Sequence, residues 1–336
     1  MVVLKYNYSS LLLALHRFKE AWEMYDGRFT LDQFQLKNSF VQNIKENLWH
    51  GEKLSKNNKI LIVKEQGVGD EIMFASILAD LLQMKANIMV ECDSRLVPLF
   101  QRSFPKIQFF PRQNLPDTKL LDTDITYQIP MGSLGRWLRP NVDSFRQKAN
   151  SYLQACPEKT SALREKYKKL ADNKLLIGIS WKSANQYTGK DKSTLLDDWT
   201  SILSQQDCYF INLQYGNVGK EIKEYCADKD NVFMYAEEEI VPLENLDDFA
   251  AQTSALDLII STSNTTVHMA GALGKNVWTL LPYIPDWRWM LNREDTLWYP
   301  KMKLFRQHEI GNWPGVFSKV EVALEQYVTE PENWEF

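Results

Sequence analysis

Two kinds of hydrophobic spacing follow each other along the chain. Apolar residues at helical spacing occupy residues 4–28 and are interrupted around His16 and Arg17, which predicts two antiparallel helices. Short continuous apolar runs begin at residues 60–63, and such runs are typical of strands that are buried on both faces. The other predicted strands are residues 88–91, 107–110, 125–129, 175–181, 209–214, 256–261 and 277–281.

Helical patterns lie between these strands and predict parallel sheets, so the expected fold class is α/β. Residues 71–84 are expected to form a mostly buried helix, and residues 144–171 one or two helices broken at Cys156 and Pro157. The strands fall into two similar series on either side of this connector. We therefore expect a helical hairpin at residues 1–55, a first lobe with connector helices at 56–171 and a second lobe at 172–336.

The predicted hairpin has the spacing of one tetratricopeptide-type (TPR) repeat, from Ala14 through Phe18 to Trp22 and Tyr25. A single repeat cannot bury its own apolar face. It must pack on the following domain or end a longer array. We favour packing on the following domain. The hairpin could also contact another protein.

Composition narrows the class of protein. The chain has 336 residues, of which 44% are hydrophobic, and this excludes general disorder and suggests two domains with a small addition. No apolar run reaches the roughly 18 residues of a membrane span, and residues 1–16 lack a secretory signal pattern, so we expect a cytoplasmic protein. The four widely spaced cysteines and four histidines predict no disulfide framework and no metal centre.

Charge is distributed unequally along the chain. The net charge is -4, but residues 1–170 hold 25 Lys and Arg against 18 Asp and Glu, and residues 171–336 hold 14 against 25. An acidic chain without a basic stripe argues against nucleic-acid binding. The unequal charge of the two halves is compatible with a local anion-binding site. It is equally compatible with two ordinary solvated surfaces.

One candidate site follows the first predicted strand, at Glu65, Gln66, Gly67, Gly69 and Asp70. Glycines allow close approach of a ligand, and the amides at a helix start favour negative charge. There Asp70 could accept a proton from a bound hydroxyl. It could equally cap the helix, which is the commonest use of Asp at this position.

A second candidate is the turn after the strand at 256–261. Its hydroxyl and amide side chains, together with the unpaired amides of the next helix, suit a phosphate group. His268 could donate to the same anion, or it could be a packed and hydrogen-bonded core residue. The polar residues after Ser261 are Thr262, Ser263, Asn264, Thr265 and Thr266.

Lysines form a third candidate after the strand at 175–181. Lys182 and Ser183 follow its end, and Lys190, Lys192 and Ser193 come shortly after. Lysines in such a place can hold phosphate as point charges, and solvated loop lysines are the alternative.

The fourth candidate is rich in aromatic residues. Eight of the 11 Trp lie at or beyond Trp181, and Asp286, Trp287 and Arg288 belong to the densest part, residues 282–307. Aromatic rings interleaved with Arg suit the face of a sugar or base. We expect most of these rings to serve in packing.

Taken together, these motifs resemble the glycosyltransferases found behind tetratricopeptide repeats in bacteria, which are similar to the lipopolysaccharide heptosyltransferases. The resemblance implies a GT-B fold, with two Rossmann-like lobes facing a cleft, the first for the acceptor and the second for the donor. It rests on the order of residues 65–70, 181–183, 192–193, 213–216, 264–274 and 286–307.

The resemblance also implies roles for residues. Asp70 matches the general base on the acceptor hydroxyl, and Lys192 matches a lysine on the donor diphosphate. Glu65, Gln66, Gly67, Gly69, Asp286, Trp287 and Arg288 would belong to the acceptor side. Lys182, Ser183, Gln214, Tyr215, Gly216, Asn264, Thr265, Thr266 and His268 would belong to the donor side. Ser263 departs from the family pattern, because many relatives have Asp there.

The function that follows by resemblance is transfer of a sugar from a nucleotide diphosphate sugar to an acceptor hydroxyl. It would be inverting and metal-independent, would need no cofactor, and would use a glycan, lipid-linked or protein acceptor. Two alternatives stay open: a nucleotide-sugar epimerase of the same fold, and a non-catalytic module that binds a nucleotide sugar or a protein.

Overall fold

Contacts divide the chain into two compact units. This computed structural model describes residues 2–30, 47–122, 124–145, 150–227, 229, 232–242 and 244–330. The first unit comprises Met1–Gln154 and Asp286–Leu291, and the second comprises Ala155–Pro285 and Asn292–Phe336.

The first unit begins with the predicted helical hairpin. Helix α1 spans Val2–Ala14 and α2 spans Phe18–Tyr25. The interruption between them is confirmed, since His16 takes a left-handed backbone conformation with φ 62°. Trp22 and Tyr25 are buried, so the hairpin hides an apolar face inside the unit. The predicted hairpin region extends to residue 55, and its residues 31–46 lie outside the described part.

A four-stranded parallel sheet follows in the first unit, in the order β3 (Gln108–Pro111), β2 (Asn87–Cys92), β1 (Lys59–Val63) and β4 (Tyr127–Pro130). It confirms the predicted strands in this half. The predicted helix at 71–84 is two helices, broken at Ser76, whose hydroxyl donates to the Met73 carbonyl at 2.7 Å. The elements are β1 Lys59–Val63, α3 Val68–Ala75, α4 Leu78–Gln83, β2 Asn87–Cys92, α5 Val97–Ser103, β3 Gln108–Pro111, β4 Tyr127–Pro130 and α6 Gly135–Leu138.

The second unit contains a six-stranded parallel sheet in the order β10 (Met302–Arg306), β9 (Asn276–Leu281), β8 (Leu258–Thr262), β5 (Leu175–Ser180), β6 (Cys208–Asn212) and β7 (Met234–Tyr235). The predicted strands of this half are confirmed, and β7 and β10 are additional edge strands. The elements are α7 Pro157–Leu170, β5 Leu175–Ser180, α8 Gly189–Lys192, α9 Thr200–Leu203, β6 Cys208–Asn212, α10 Gly219–Ala227, β7 Met234–Tyr235, α11 Leu246–Ser254, β8 Leu258–Thr262, α12 Thr265–Ala272, β9 Asn276–Leu281, β10 Met302–Arg306 and α13 Trp313–Thr329.

Helix α7 is part of the second unit, and so the units divide before it, earlier than the predicted boundary at residue 171. Arg164 donates to the Ala255 carbonyl and to Asp257, both at 2.7 Å. Lys166 pairs with Glu237 at 2.7 Å. The second of the two predicted connector helices is present, whereas residues 150–156 are not helical.

The short segment Asp286–Leu291 returns to the first unit. It forms a 3-10 helix at Trp287–Trp289. The Leu291 amide donates to the Ala14 carbonyl at 2.9 Å. This segment brings Arg288 and two tryptophans to the hairpin.

Within the described ranges, no helix has the length and apolar character needed to cross a bilayer.

Candidate functional site

Asp70 lies in the first turn of α3, directly after the loop that leaves β1. The helix begins after Gly67, and the Asp70 carboxylate accepts a hydrogen bond from the Gly67 amide at 3.2 Å. Gln66 before it is left-handed, with φ 60°. Asp70 therefore helps to cap α3, and its second oxygen is directed to another partner.

That partner is Arg288, which forms an ion pair with Asp70. Asp286 holds the same guanidinium at 2.9 Å. The Arg288 side chain is only 12% exposed and the Asp70 side chain 20%. Burial raises the pKa of Asp70, the Arg288 charge opposes this rise, and the nearby Asp286 charge adds to it. The structure thus brings together Asp70, the predicted base, and two of the predicted acceptor-side residues, Asp286 and Arg288.

Tyr6 of α1 belongs to the same charged group. Burial, followed by the charge of Asp286, raises the pKa of Tyr6 to about 12, and Asp70 and Arg288 also act on it. The hairpin therefore contributes a hydroxyl to the surroundings of Asp70. No motif in the sequence indicated Tyr6, because it is one of several apolar or aromatic positions on α1.

Glu65 and Gln66 connect the sheet to the hairpin. The two Glu65 oxygens accept from Arg28 Nε and Nη2, each at 2.7 Å, and the Gly132 amide donates to Glu65 at 2.6 Å. Gln66 donates to the Tyr25 hydroxyl at 3.2 Å. Arg28 is fully buried. Glu65 thus has an architectural role in the structure, holding a buried arginine.

Trp287 lies inside the first unit. Its ring packs edge-on against Trp22 and Tyr25, with centroids 6.0 and 5.7 Å apart, and near Phe74 at 6.4 Å. The ring is 6% exposed. This arrangement agrees with the expectation that most rings of the segment serve in packing. Gly69 is an ordinary residue of α3.

The second candidate site lies in the second unit, where the strand order reverses between β5 and β8. Ligands of open α/β sheets bind at such a switch point, beyond the carboxyl ends of the strands. Asn264 caps α12 by accepting from the Thr266 amide at 2.9 Å. Its amide group donates to the Ser180 hydroxyl at 2.7 Å and to the Lys182 carbonyl at 3.0 Å. One side chain thus fixes the start of α12 against the loop after β5.

Gln214 fixes the same loop from the next strand. Its side-chain oxygen accepts from the Ser180 hydroxyl and from the Trp181 and Lys182 amides, at 3.0, 2.9 and 2.7 Å. Gln214 is buried, so it orders the loop from within. Tyr215 accepts from the Ala184 amide at 2.7 Å. Gly216 provides a left-handed turn, with φ 91°.

The lysine-bearing loop is held by its own contacts. Lys182 pairs with both oxygens of Glu221 at 2.7 Å, and Trp181 Nε1 donates to the same carboxylate at 3.2 Å. The Ser183 amide donates to the Ser193 hydroxyl at 3.0 Å, which places Lys192, at the end of α8, beside this loop. Glu221 was not predicted, because its spacing from Lys182 has no local pattern.

His268 is buried in the body of α12. Its Nδ1 lies 2.7 Å from the Tyr299 hydroxyl. Tyr299 in turn packs over Gly271, where an added Cβ would lie 2.5 Å from the ring carbon Cγ. This contact agrees with the alternative in which His268 is a packed and hydrogen-bonded core residue. Ser263 and Thr266 are also buried, while Thr265 is partly exposed at the helix start.

No protein-family model matches the chain. It is 28% identical over 341 residues to Protein FlbA of Caulobacter vibrioides, an alignment that covers 97% of this chain and 56% of FlbA. The chain therefore spans a little over half the length of this curated relative.

Two solved structures are similar along most of the chain. The glycosyl transferase family 9 protein of Veillonella parvula gives a TM-score of 0.57 at 13% identity, covering 83% of this chain and 99% of that one. ADP-heptose lipopolysaccharide heptosyltransferase II of E. coli gives a TM-score of 0.56 at 13% identity, and the match covers 82% of this chain and 99% of that one. The fold is of the GT-B type. At this identity the likeness concerns the fold, and roles of individual residues must be argued from the chain itself.

Proposed function

We propose that this protein is a glycosyltransferase that moves a sugar from a nucleotide diphosphate sugar to an acceptor hydroxyl. The observation that carries the proposal is the Asn264 contact, which joins the capped start of α12 to the lysine-bearing loop at the sheet's switch point. Amides at a helix start and nearby lysines are the groups that bind phosphate. The GT-B fold supports the same assignment.

The second unit would hold the donor. The α12 amides, with Lys192 and His268, would stabilise the charge that grows on the leaving diphosphate. Lys182 would exchange Glu221 for a phosphate oxygen, which is a modest change for a pair whose side chains are 37% and 33% exposed. Fixed cationic and amide donors can perform this role, so the proposed reaction needs no metal.

The first unit would supply the base. In a single displacement, an acceptor oxygen bonds to the anomeric carbon while that carbon's bond to the diphosphate breaks, which inverts the centre. The acceptor proton passes to Asp70. A raised pKa strengthens Asp70 as a proton acceptor, and the Arg288 charge favours its ionised form.

A non-catalytic nucleotide-sugar binding module is the second candidate. Two observations favour it: the Asp70 carboxylate already pairs with Arg288, and Ser263 stands where many of the similar heptosyltransferases have Asp. This candidate predicts ligand binding without turnover. Replacement of Ser263→Asp would then create or increase activity.

The first experiment is a thermal-shift screen with nucleoside diphosphates and their sugars, because a ligand of the folded state raises its stability by mass action. The nucleotide sugar that binds is then incubated with and without acceptors. Transfer requires an acceptor and yields free nucleoside diphosphate, whereas an epimerase converts the donor alone into its isomer. If no nucleotide or nucleotide sugar shifts the melting temperature, the proposal is wrong.

Asp70→Asn tests the base. General base catalysis contributes about 10²–10⁴-fold, so kcat should fall by about that factor while donor affinity is retained. Asp80→Asn is the matched control, since Asp80 also pairs with a mostly buried arginine, Arg139, at 2.7 Å in the same unit. Equal kcat values for the two variants would exclude Asp70 as the base.

A further inference from the structure

The second unit contains a cavity of about 640 Å³ at the β10 edge of its sheet, the edge opposite to β7. It lies between the edge strand β10 and helix α13. A volume of this size is typical of pockets for small organic ligands. Its lining residues belong to segments 292–294, 303–308 and 318–326. None of them belongs to the proposed donor site.

The charged side chains of this lining are mostly basic, although this half of the chain is acidic overall. Arg306 Nε donates to the Arg293 carbonyl at 2.9 Å, which brings two guanidinium groups to one wall. Burial, followed by the Arg293 charge, lowers the pKa of Arg306 to about 10. Asp295 holds Arg293 at 2.6 Å. The partly buried Arg306 thus holds its charge beside a second guanidinium, and a bound anion would offset the repulsion between the two.

A second pair of polar side chains lines the cavity, one from α13 and one from the segment after β10. Lys319 of α13 contacts the ring nitrogen Nε2 of His308. Both residues are exposed, so their polar atoms are accessible. Lys319 supplies a positive charge apart from the two arginines, and this suits a ligand with more than one anionic group.

Apolar surface completes the cavity. Val322 on α13 is 51% exposed, and Ala323 and Phe305 also line the cavity. Lys303 Nζ lies 5.4 Å from the centre of the Phe305 ring. An apolar wall beside cationic groups suits an organic molecule with an anionic end.

We propose that this cavity is a second ligand site, which binds an organic phosphate of about nucleotide size. Arginine forks match phosphate oxygens in a bidentate manner, and lysine adds a point charge. The Arg293 and Arg306 wall would hold one phosphate, Lys319 and His308 would hold the next, and the organic part would lie on Val322. The site does not depend on the glycosyltransferase proposal, because it shares no residue with it.

Isothermal titration with inorganic pyrophosphate at low salt tests the site. We expect Lys319→Gln to raise the Kd at least tenfold, since Lys319 is exposed and its loss leaves the fold intact. Val322→Glu, which places a negative charge at an exposed point of the cavity, should weaken binding similarly. Lys169→Gln, on the exposed face of α7, is the matched control and should leave the Kd unchanged.

Pyrophosphate bound at the proposed donor site would not respond to Lys319→Gln or Val322→Glu, so the effect of these variants reports on the cavity alone. The proposal is overturned if both variants bind pyrophosphate as tightly as Lys169→Gln does. It is also overturned if the parent protein binds none. Loss of glycosyl transfer in Asp70→Asn has no bearing on either result.

Discussion

Gly271 is a position where a single added methyl group would have a clear structural consequence. A methyl group there would lie 2.5 and 2.6 Å from two carbons of the Tyr299 ring. These distances are well inside van der Waals contact, so Gly271→Ala must displace the ring. Displacement also stretches the 2.7 Å contact between the Tyr299 hydroxyl and His268.

Opposing contributions set the size of the effect. Overpacking a tight interior costs about 1–3 kcal/mol. A lost hydrogen bond adds about 1 kcal/mol. Alanine is favoured over glycine inside a helix by about 1 kcal/mol, which opposes the other two contributions. Steric overlap therefore dominates, and we expect Gly271→Ala to lower the free energy of unfolding by about 2 kcal/mol.

Urea unfolding followed by tryptophan fluorescence measures this change, and thermal melting should show a decrease of roughly 4–8 °C. Gly219→Ala is the matched control, because Gly219 begins α10 and an added Cβ meets no atom within 4 Å. This control should be as stable as the parent or slightly more so. Tyr299→Phe isolates the hydrogen bond to His268. If Gly271→Ala is as stable as Gly219→Ala, the packing of Tyr299 on α12 is not as described.

Three further predictions concern buried polar groups. Arg28→Met should lower the free energy of unfolding by about 3–5 kcal/mol in urea titrations, because it leaves Glu65 charged and unpaired in the interior. Gln214→Ala should cost at least about 2 kcal/mol and speed amide hydrogen exchange in the loop after β5, whose amides lose their acceptor. Burial raises the pKa of Glu71 from 4.5 to about 7, so its stabilising contribution is complete below pH 4.5 and is lost as the pH rises through 7. Glu71→Gln should therefore flatten the change in unfolding free energy between pH 5 and 8, and an unchanged slope would contradict this.

The central strands could be predicted from the sequence because strands buried on both faces are continuously apolar, as in residues 60–63 and 256–261. Edge strands lack this signal. Strand β7 has two residues, and β10 carries Lys303 between apolar positions and ends at Arg306. Helix α3 begins earlier than predicted because the Asp70 side chain caps its first turn.

The site could be predicted only where its residues are close in sequence. Asp70 and Asn264 were expected at helix starts, and both are there. Arg288, the partner of Asp70, is 218 positions away, and no local pattern relates the two. No local pattern relates Tyr299 to His268 either. Such pairs are made by the tertiary fold, which local spacing does not specify.

Because Asp286–Leu291 belongs to the first unit, that unit can be completed only late in synthesis on the ribosome. Residues 155–285, with β5 to β9, are synthesised before the last piece of the first unit exists. At about 5–20 residues per second, this interval lasts roughly ten seconds. During this interval Trp22 and Tyr25 lack their contact with the Trp287 ring, and Asp70 lacks its ion pair with Arg288. The part of the chain made first is thus completed late, and a nascent chain arrested before residue 286 would present a hairpin with an open aromatic surface.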